Sequence, residues 1–179
     1  MAEDAGADAV GIVVFSHSPR NVPLEKASEI LGHLGPFTVG VLVTHTQSRQ
    51  EFLSVLDLHP SAVQVSCPFI MPVRTGVKMI RVVQPGGVLP GDCDAVVIDE
   101  SLGSGRFYSP EFAKTAVRES AVPVILAGGL TPDNVKEAIE DVRPYAVDVA
   151  SGVETRPGVK DPCLVSRFIQ NAKGVSNAR

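Results

Sequence analysis

Short apolar stretches recur along the chain, and between most of them apolar side chains return at helical spacing. The stretches at Ala9–Val14, Thr38–Thr44, Ala62–Ser66, Val77–Val83, Asp94–Asp99, Val122–Ala127 and Ala146–Ala150 are rich in Val and Ile. They alternate poorly between apolar and polar, as strands covered on both faces do. The intervening patterns predict helices at Leu24–Leu34, Arg49–Leu58, Pro110–Glu119, Pro132–Asp141 and Pro162–Lys173. Several open on a capping residue followed by proline, after Ser109, Thr131 and Asp161, which is a helix-start signal. Cys67–Gly76 and Gln84–Cys93 hold Pro and Gly with little helical pattern, so both predict short or irregular connections.

Strand followed by helix, repeated, implies βαβ units and a parallel sheet in an α/β protein. An open doubly wound sheet and a (β/α)8 TIM barrel both fit. Seven strands are one short of a closed barrel, which would leave two raw edges. The opening residues "AEDAGA" read as the last turn of a helix with Gly6 as its C-cap. The expectation is therefore a single domain over 1–179, a phosphate-binding type of TIM barrel whose first strand and most of whose first helix are missing from this chain. Edges left raw in that way predict poor stability, or self-association into a homo-oligomer that covers them.

With 44% hydrophobic and 20% charged residues in 179, a full core can form and disorder is not expected. The net charge of −4 offers no basic face, so nucleic acid is a poor partner. No apolar run reaches the roughly 18 residues of a membrane helix. The acidic start is unlike a signal peptide, and Cys67, Cys93 and Cys163 form no metal or disulfide pattern. These features suit the cytoplasm. No nucleotide fingerprint is present, and no cofactor or metal is implied.

Candidate chemistry gathers where apolar runs end. "VPVILAGGLTPDNVKEAI" places Gly128 and Gly129 where a buried strand gives way to a helix. Glycines let the backbone approach an anion closely, and a helix N-terminus adds partial positive charge. "VDVASGVE" repeats the arrangement one unit later with Ser151 and Gly152. Glycines in two successive strand-to-helix junctions point to a phosphate site, though either pair alone could serve only a tight turn.

On these segments the chain resembles the phosphoribosylanthranilate isomerase family. "GADAVGIVVFSHSPRNV" resembles its second strand and Ser-Pro-Arg loop, and "VGVLV" its third strand. "DAVVIDESLGSGRFY" resembles its strand ending in Asp, while "LAGGLTPDNVKEAI" and "VDVASGVETRPGVKD" resemble its two phosphate loops. The resemblance implies a (β/α)8 enzyme that carries out an Amadori rearrangement on a small-molecule sugar phosphate, phosphoribosylanthranilate, in tryptophan biosynthesis. It assigns Asp99 as the general acid, with a pKa that burial would have to raise. It assigns Arg20 to the anthranilate carboxylate, which a planar guanidinium suits. It also implies substrate contacts for Gln64 and Asp148, phosphate contacts for Gly128, Gly129, Ser151 and Gly152, and a place near substrate for Gly103–Gly105. A buried structural carboxylate explains Asp148 equally well, and a plain flexible loop explains Gly103–Gly105 equally well.

Two departures stand out. The family's general base is a cysteine in a Lys-Ile-Cys-Gly motif on its first strand, which this chain lacks. Its Gln-Leu-His reads "VQVSC" here, so Gln64 aligns and Ser66 replaces the histidine. Strand alternation turns Cys67 toward the helices, away from Gln64, and so argues against it as a substitute base. His17, His33, His45 and His59 fall mostly in loops and at helix ends. The alternatives are a non-catalytic sugar-phosphate-binding remnant completed by another chain, or another phosphate-binding barrel enzyme.

Overall fold

The computed structural model describes residues 1–67, 76–99 and 110–175. The elements follow one another as β1 (Ala9–Val14), α1 (Leu24–Gly32), β2 (Val39–Thr44), α2 (Arg49–Leu56), β3 (Ala62–Val65), β4 (Lys78–Val83) and β5 (Ala95–Asp99). Then come α3 (Pro110–Glu119), β6 (Val124–Ala127), α4 (Val135–Val142), β7 (Ala146–Val147), a 3-10 turn at Ser151–Val153, the β8 (Glu154–Arg156) and β9 (Val159–Lys160) hairpin, and α5 (Pro162–Lys173).

The first seven strands form one sheet in chain order, and every neighbouring pair is parallel. Alternation then sorts the side chains. Ile12, Val14, Leu42, Val63 and Val65 pack with Phe52 and Val55 in one buried cluster on the helix side. Val96, Ile98 and Val124 meet Ala116, and Leu126 meets Val135, Val165 and Phe168. The opposite face holds the intervening residues, among them the paired row Val13, Val43, Gln64 and Ile80.

The sheet curls until its ends approach. Ala2 and Ala5, ahead of β1, pack on the cluster that contains α5, which follows β7. Lys173 at the end of α5 pairs with Asp8 at 2.8 Å. Within the sheet β1 and β7 stand at opposite ends and are not paired with each other. The turn before β1 closes as a helix C-terminus does: Gly6 is left-handed at φ 97, Ala7 N–H bonds Ala2 O at 3.0 Å, and Gly6 N–H bonds Glu3 O at 2.8 Å.

Most expected bounds shift by at most two residues, and two places differ by more. The predicted helix at Pro132 begins at Val135. Asn134 Oδ1 accepts from Thr131 N–H, and Thr131 Oγ1 accepts from Asp133 N–H, so local side-chain bonds hold Thr131–Asn134 as a turn instead. The last strand ends at Val147 rather than Ala150, because the chain turns into the 3-10 turn. The Asp161 cap of α5 forms as expected, accepting from Cys163 and Leu164 N–H. Gln84–Cys93 is irregular, as its Pro and Gly predict. The second irregular connection, Cys67–Gly76, lies largely outside the described residues, as do Ser109 and Gly103–Gly105.

Leu126 joins the sheet to α4 and α5 and is 0% exposed. Leu126→Ala is expected to cost about 2–5 kcal/mol in urea unfolding. A loss below about 1 kcal/mol would mean that this interface is not close-packed.

Candidate active site

In a curled parallel sheet the C-terminal strand ends are where loops converge on one opening. Asp99 is the last residue of β5, and Gln64 is the third residue of β3, on the face opposite Val63 and Val65. Gly128 and Gly129 follow β6, while Asp148, Ser151 and Gly152 follow β7. Arg20 lies in the loop after β1. These residues therefore fall on one end of the sheet.

The register brings two carboxylates together. Asp99 pairs with Ala127, and Asp148 N–H bonds Leu126 O at 2.9 Å, which continues the ladder one step past β7. Asp99 and Asp148 thus stand on strands either side of Ala127, whose methyl group leaves the space between them open. Surrounding protein, and then the Asp99 charge, push the Asp148 carboxyl above its ordinary value, while Lys160 opposes them. Asp148 nevertheless keeps an exposed side chain beside the edge of β7, unpaired among the described residues, so water limits the contribution from burial.

The two glycine turns touch. Gly128 and Gly129 are left-handed, at φ 91 and 66, which frees the chain to reverse at the end of β6. Gly152 lies so close to that turn that a Cβ would sit 1.9 Å from Leu130 O. Asn134 braces the first turn, donating to Gly129 O at 3.0 Å. Among the described residues the N–H groups of Gly129, Ser151 and Gly152 have no acceptor. Such groups at adjacent strand ends can receive an anion.

Arg20 is held by a residue that the sequence reading did not single out. Its Nε donates to Glu154 Oε1 at 2.9 Å and one Nη to Oε2 at 2.6 Å. Oε1 also accepts from Lys160 Nζ at 3.0 Å and Gly158 N–H at 3.3 Å. Burial would raise the Glu154 pKa, but the bonds from Arg20 and Lys160 outweigh it and hold the carboxyl at about 2. Ser16 and Ser18 shape the loop: Ser16 Oγ accepts from Ser18 N–H, and Ser18 Oγ from Arg20 N–H. Glu154 stands in the "SGVETRPGVKD" stretch, but a single acid in a loop carries no signal of a partner 134 residues away.

The remaining candidates lie apart from this centre. Cys93 lies just before β5, at the far end of the sheet, and burial followed by Asp92 raises its pKa, which keeps it a thiol. Cys67 is half-buried just beyond β3, and Cys163 is exposed in the first turn of α5. His33 caps α1 and His59 follows α2. An open cavity of about 690 Å³, lined by Phe15, Ser16, His17, His45 and Glu51 among others, lies between the loops after β1 and β2. It includes neither Asp99 nor the glycine turns, so its size does not make it the centre of the chemistry. Among the described residues no cluster of His, Cys, Asp or Glu could hold a metal, and no helix is long and apolar enough to cross a membrane.

A curled parallel sheet with carboxylates, an arginine and glycine turns at its C-terminal end defines an α/β protein of the TIM-barrel-like class. The family model described as N-(5'phosphoribosyl)anthranilate (PRA) isomerase matches residues 1–171, and the chain belongs to that family. An N-(5'-phosphoribosyl)anthranilate isomerase of Methanoregula boonei is 52% identical over 174 residues, which cover 97% of this chain and 89% of that protein. The crystal structure of the isomerase from Thermus thermophilus superposes with a TM-score of 0.84 at 30% identity, over 98% of this chain and 92% of the other. Another solved isomerase, with a TM-score of 0.77 and 29% identity over 97% of this chain and 91% of its own, is in complex with reduced 1-(o-carboxyphenylamino)-1-deoxyribulose 5-phosphate.

Asp99→Asn removes the charge facing Asp148 and is expected to lower the Asp148 pKa, as read from carboxyl carbon shifts during an NMR titration. An unchanged value would leave burial as the whole cause. The Glu154 shift also links stability to pH. Its folded pKa lies below the ordinary 4.5, so its contribution is full above about 4.5 and is lost as pH falls through about 2. Glu154→Gln should lower the unfolding free energy at neutral pH by on the order of 3 kcal/mol, with the two proteins converging below pH 4.5. A gap independent of pH would contradict this.

Proposed function

We propose that this chain is a phosphoribosylanthranilate isomerase of tryptophan biosynthesis. It converts N-(5-phosphoribosyl)anthranilate to 1-(2-carboxyphenylamino)-1-deoxyribulose 5-phosphate. The observation that carries the reading is the family match over residues 1–171, joined to the position of Asp99 at the strand end that the family uses for its acid. In this reading Asp99 delivers a proton to the ring oxygen as the C1′–O bond breaks, leaving an iminium at C1′. Loss of the C2′ proton then gives an enolamine, which tautomerises to the ketone. Arg20 receives the anthranilate carboxylate, Gln64 and Asp148 contact the sugar, and the N–H groups about Gly128, Gly129, Ser151 and Gly152 receive the phosphate.

The C2′ proton needs a base, which the family's Lys-Ile-Cys-Gly cysteine supplies. We infer a (β/α)8 barrel completed by a strand bearing that cysteine, seated between β1 and β7. Support comes from the edges of β1 and β7, unpaired among the described residues, combined with the Arg20–Glu154 contact between the loops beyond them. The setting is the cytoplasm, with a small molecule as the only partner the reading requires.

The test is turnover of phosphoribosylanthranilate, followed by loss of its fluorescence, for the chain as given and for a form extended by the family's first strand. The extended form is expected to turn over, and Asp99→Asn in it should lower kcat by about 10²–10⁴-fold. Absence of turnover in both forms, or an active Asp99→Asn, would overturn the reading.

A further inference from the structure

Arg20 is poorly suited, on its own, to grip one particular carboxylate. A guanidinium on a flexible stem samples many rotamers, and ordering it offsets much of what a new ion pair contributes. Here the order is already imposed. Glu154 occupies the Nε and Nη2 edge of Arg20 in a two-point contact at 2.9 and 2.6 Å. The planar group carries five N–H donors, so the edge formed by Nη1 and the second hydrogen of Nη2 remains for another bidentate partner. Among the described residues Nη1 makes no bond.

A carboxylate against Arg20 should also cancel the charge that attracts an anion. Lys160 prevents this. It bonds the same Glu154 Oε1 at 3.0 Å and is itself anchored on Ala150 O at 2.8 Å. One carboxylate between two cations leaves the group with a net positive charge, matched to one incoming anion. The frame around it is rigid: the Glu154 side chain is 3% exposed. Gly158 at the tip of the β8–β9 hairpin lies so close to the loop after β1 that a Cβ would meet Pro19 O at 3.3 Å. Glu154 also begins directly after the 3-10 turn, and its own N–H bonds Ser151 O.

We propose that Glu154 is a positioning residue that fixes Arg20 by one edge and presents its other edge to the aromatic carboxylate of the substrate, with Lys160 preserving the positive charge. The inference rests on the isomerase reading given above and adds to it a determinant of selectivity for substrates that carry this carboxylate.

Calorimetric titration separates positioning from a structural latch. The full chain is titrated with reduced 1-(o-carboxyphenylamino)-1-deoxyribulose 5-phosphate, and with ribulose 5-phosphate, which lacks the carboxylate. Glu154→Gln is expected to raise Kd for the first about tenfold and to change Kd for the second less than about twofold. In an Arg20→Gln background the same substitution should have no further effect on the first ligand. Glu154→Asp keeps the charge but is one methylene too short to reach the Arg20 edge; it provides the same comparison if Glu154→Gln unfolds. Equal weakening of both ligands, or a Glu154 effect that persists without Arg20, would overturn the proposal while leaving the isomerase reading intact. Failure of both the unsubstituted chain and its form extended by the family's first strand to bind either ligand would overturn both.

Discussion

A parallel strand must be covered on both faces, and the rest of the molecule follows from that requirement. Apolar residues fill the positions that face the helices, where Leu42, Val63, Val96, Ile98 and Leu126 are each fully buried. Few polar groups can then be accommodated along the strands themselves. They collect where strands end: Asp99 at the last residue of β5, Asp148 just past β7, and the glycine turns after β6 and β7. Because the strands pair in register, those ends lie side by side. The grouping of candidate residues at one opening is thus a product of the same constraint that builds the core.

Two carboxylates near this opening, Asp148 and Glu154, have very different surroundings. Burial, and then the facing Asp99, push the Asp148 carboxyl above its ordinary value. Glu154 faces two cations and stays ionised down to about pH 2. Lys160 acts on both, bonding Glu154 directly and opposing the rise at Asp148 through its charge. Because Lys160 lowers both, the contrast comes from their other surroundings, burial and Asp99 at Asp148 and Arg20 at Glu154.

Much of this was legible in the sequence because it depends on local pattern. The strand at Ala9–Val14 and the helices at Pro110–Glu119 and Pro162–Lys173 are present with the bounds their periodicity predicts. Thr131-Pro132 carries the same start signal as Asp161-Pro162, yet only the latter begins a helix. Asn134 competes for the backbone at the former, and that competition depends on a side chain three residues away. The glycine turns and Asp99 could be picked out because each sits at the end of an apolar run. Glu154 could not, since its meaning depends on Arg20, which follows β1 at the other end of the strand order and 134 residues away. The roles proposed for these residues rest on the family resemblance together with their shared position at the strand ends.

Strand order has a consequence for how the chain acquires its shape. Each strand of the main sheet pairs with the next one in sequence, so most of the ladder can form as the polypeptide leaves the ribosome. The contact between Arg20 and Glu154 spans 134 residues and has to wait for the hairpin after β7. Entropy of loop closure makes contacts of such separation late events in folding. A nascent chain would thus be largely built while Arg20 is still unrestrained, and its two-point contact with Glu154 would be among the last features to mature.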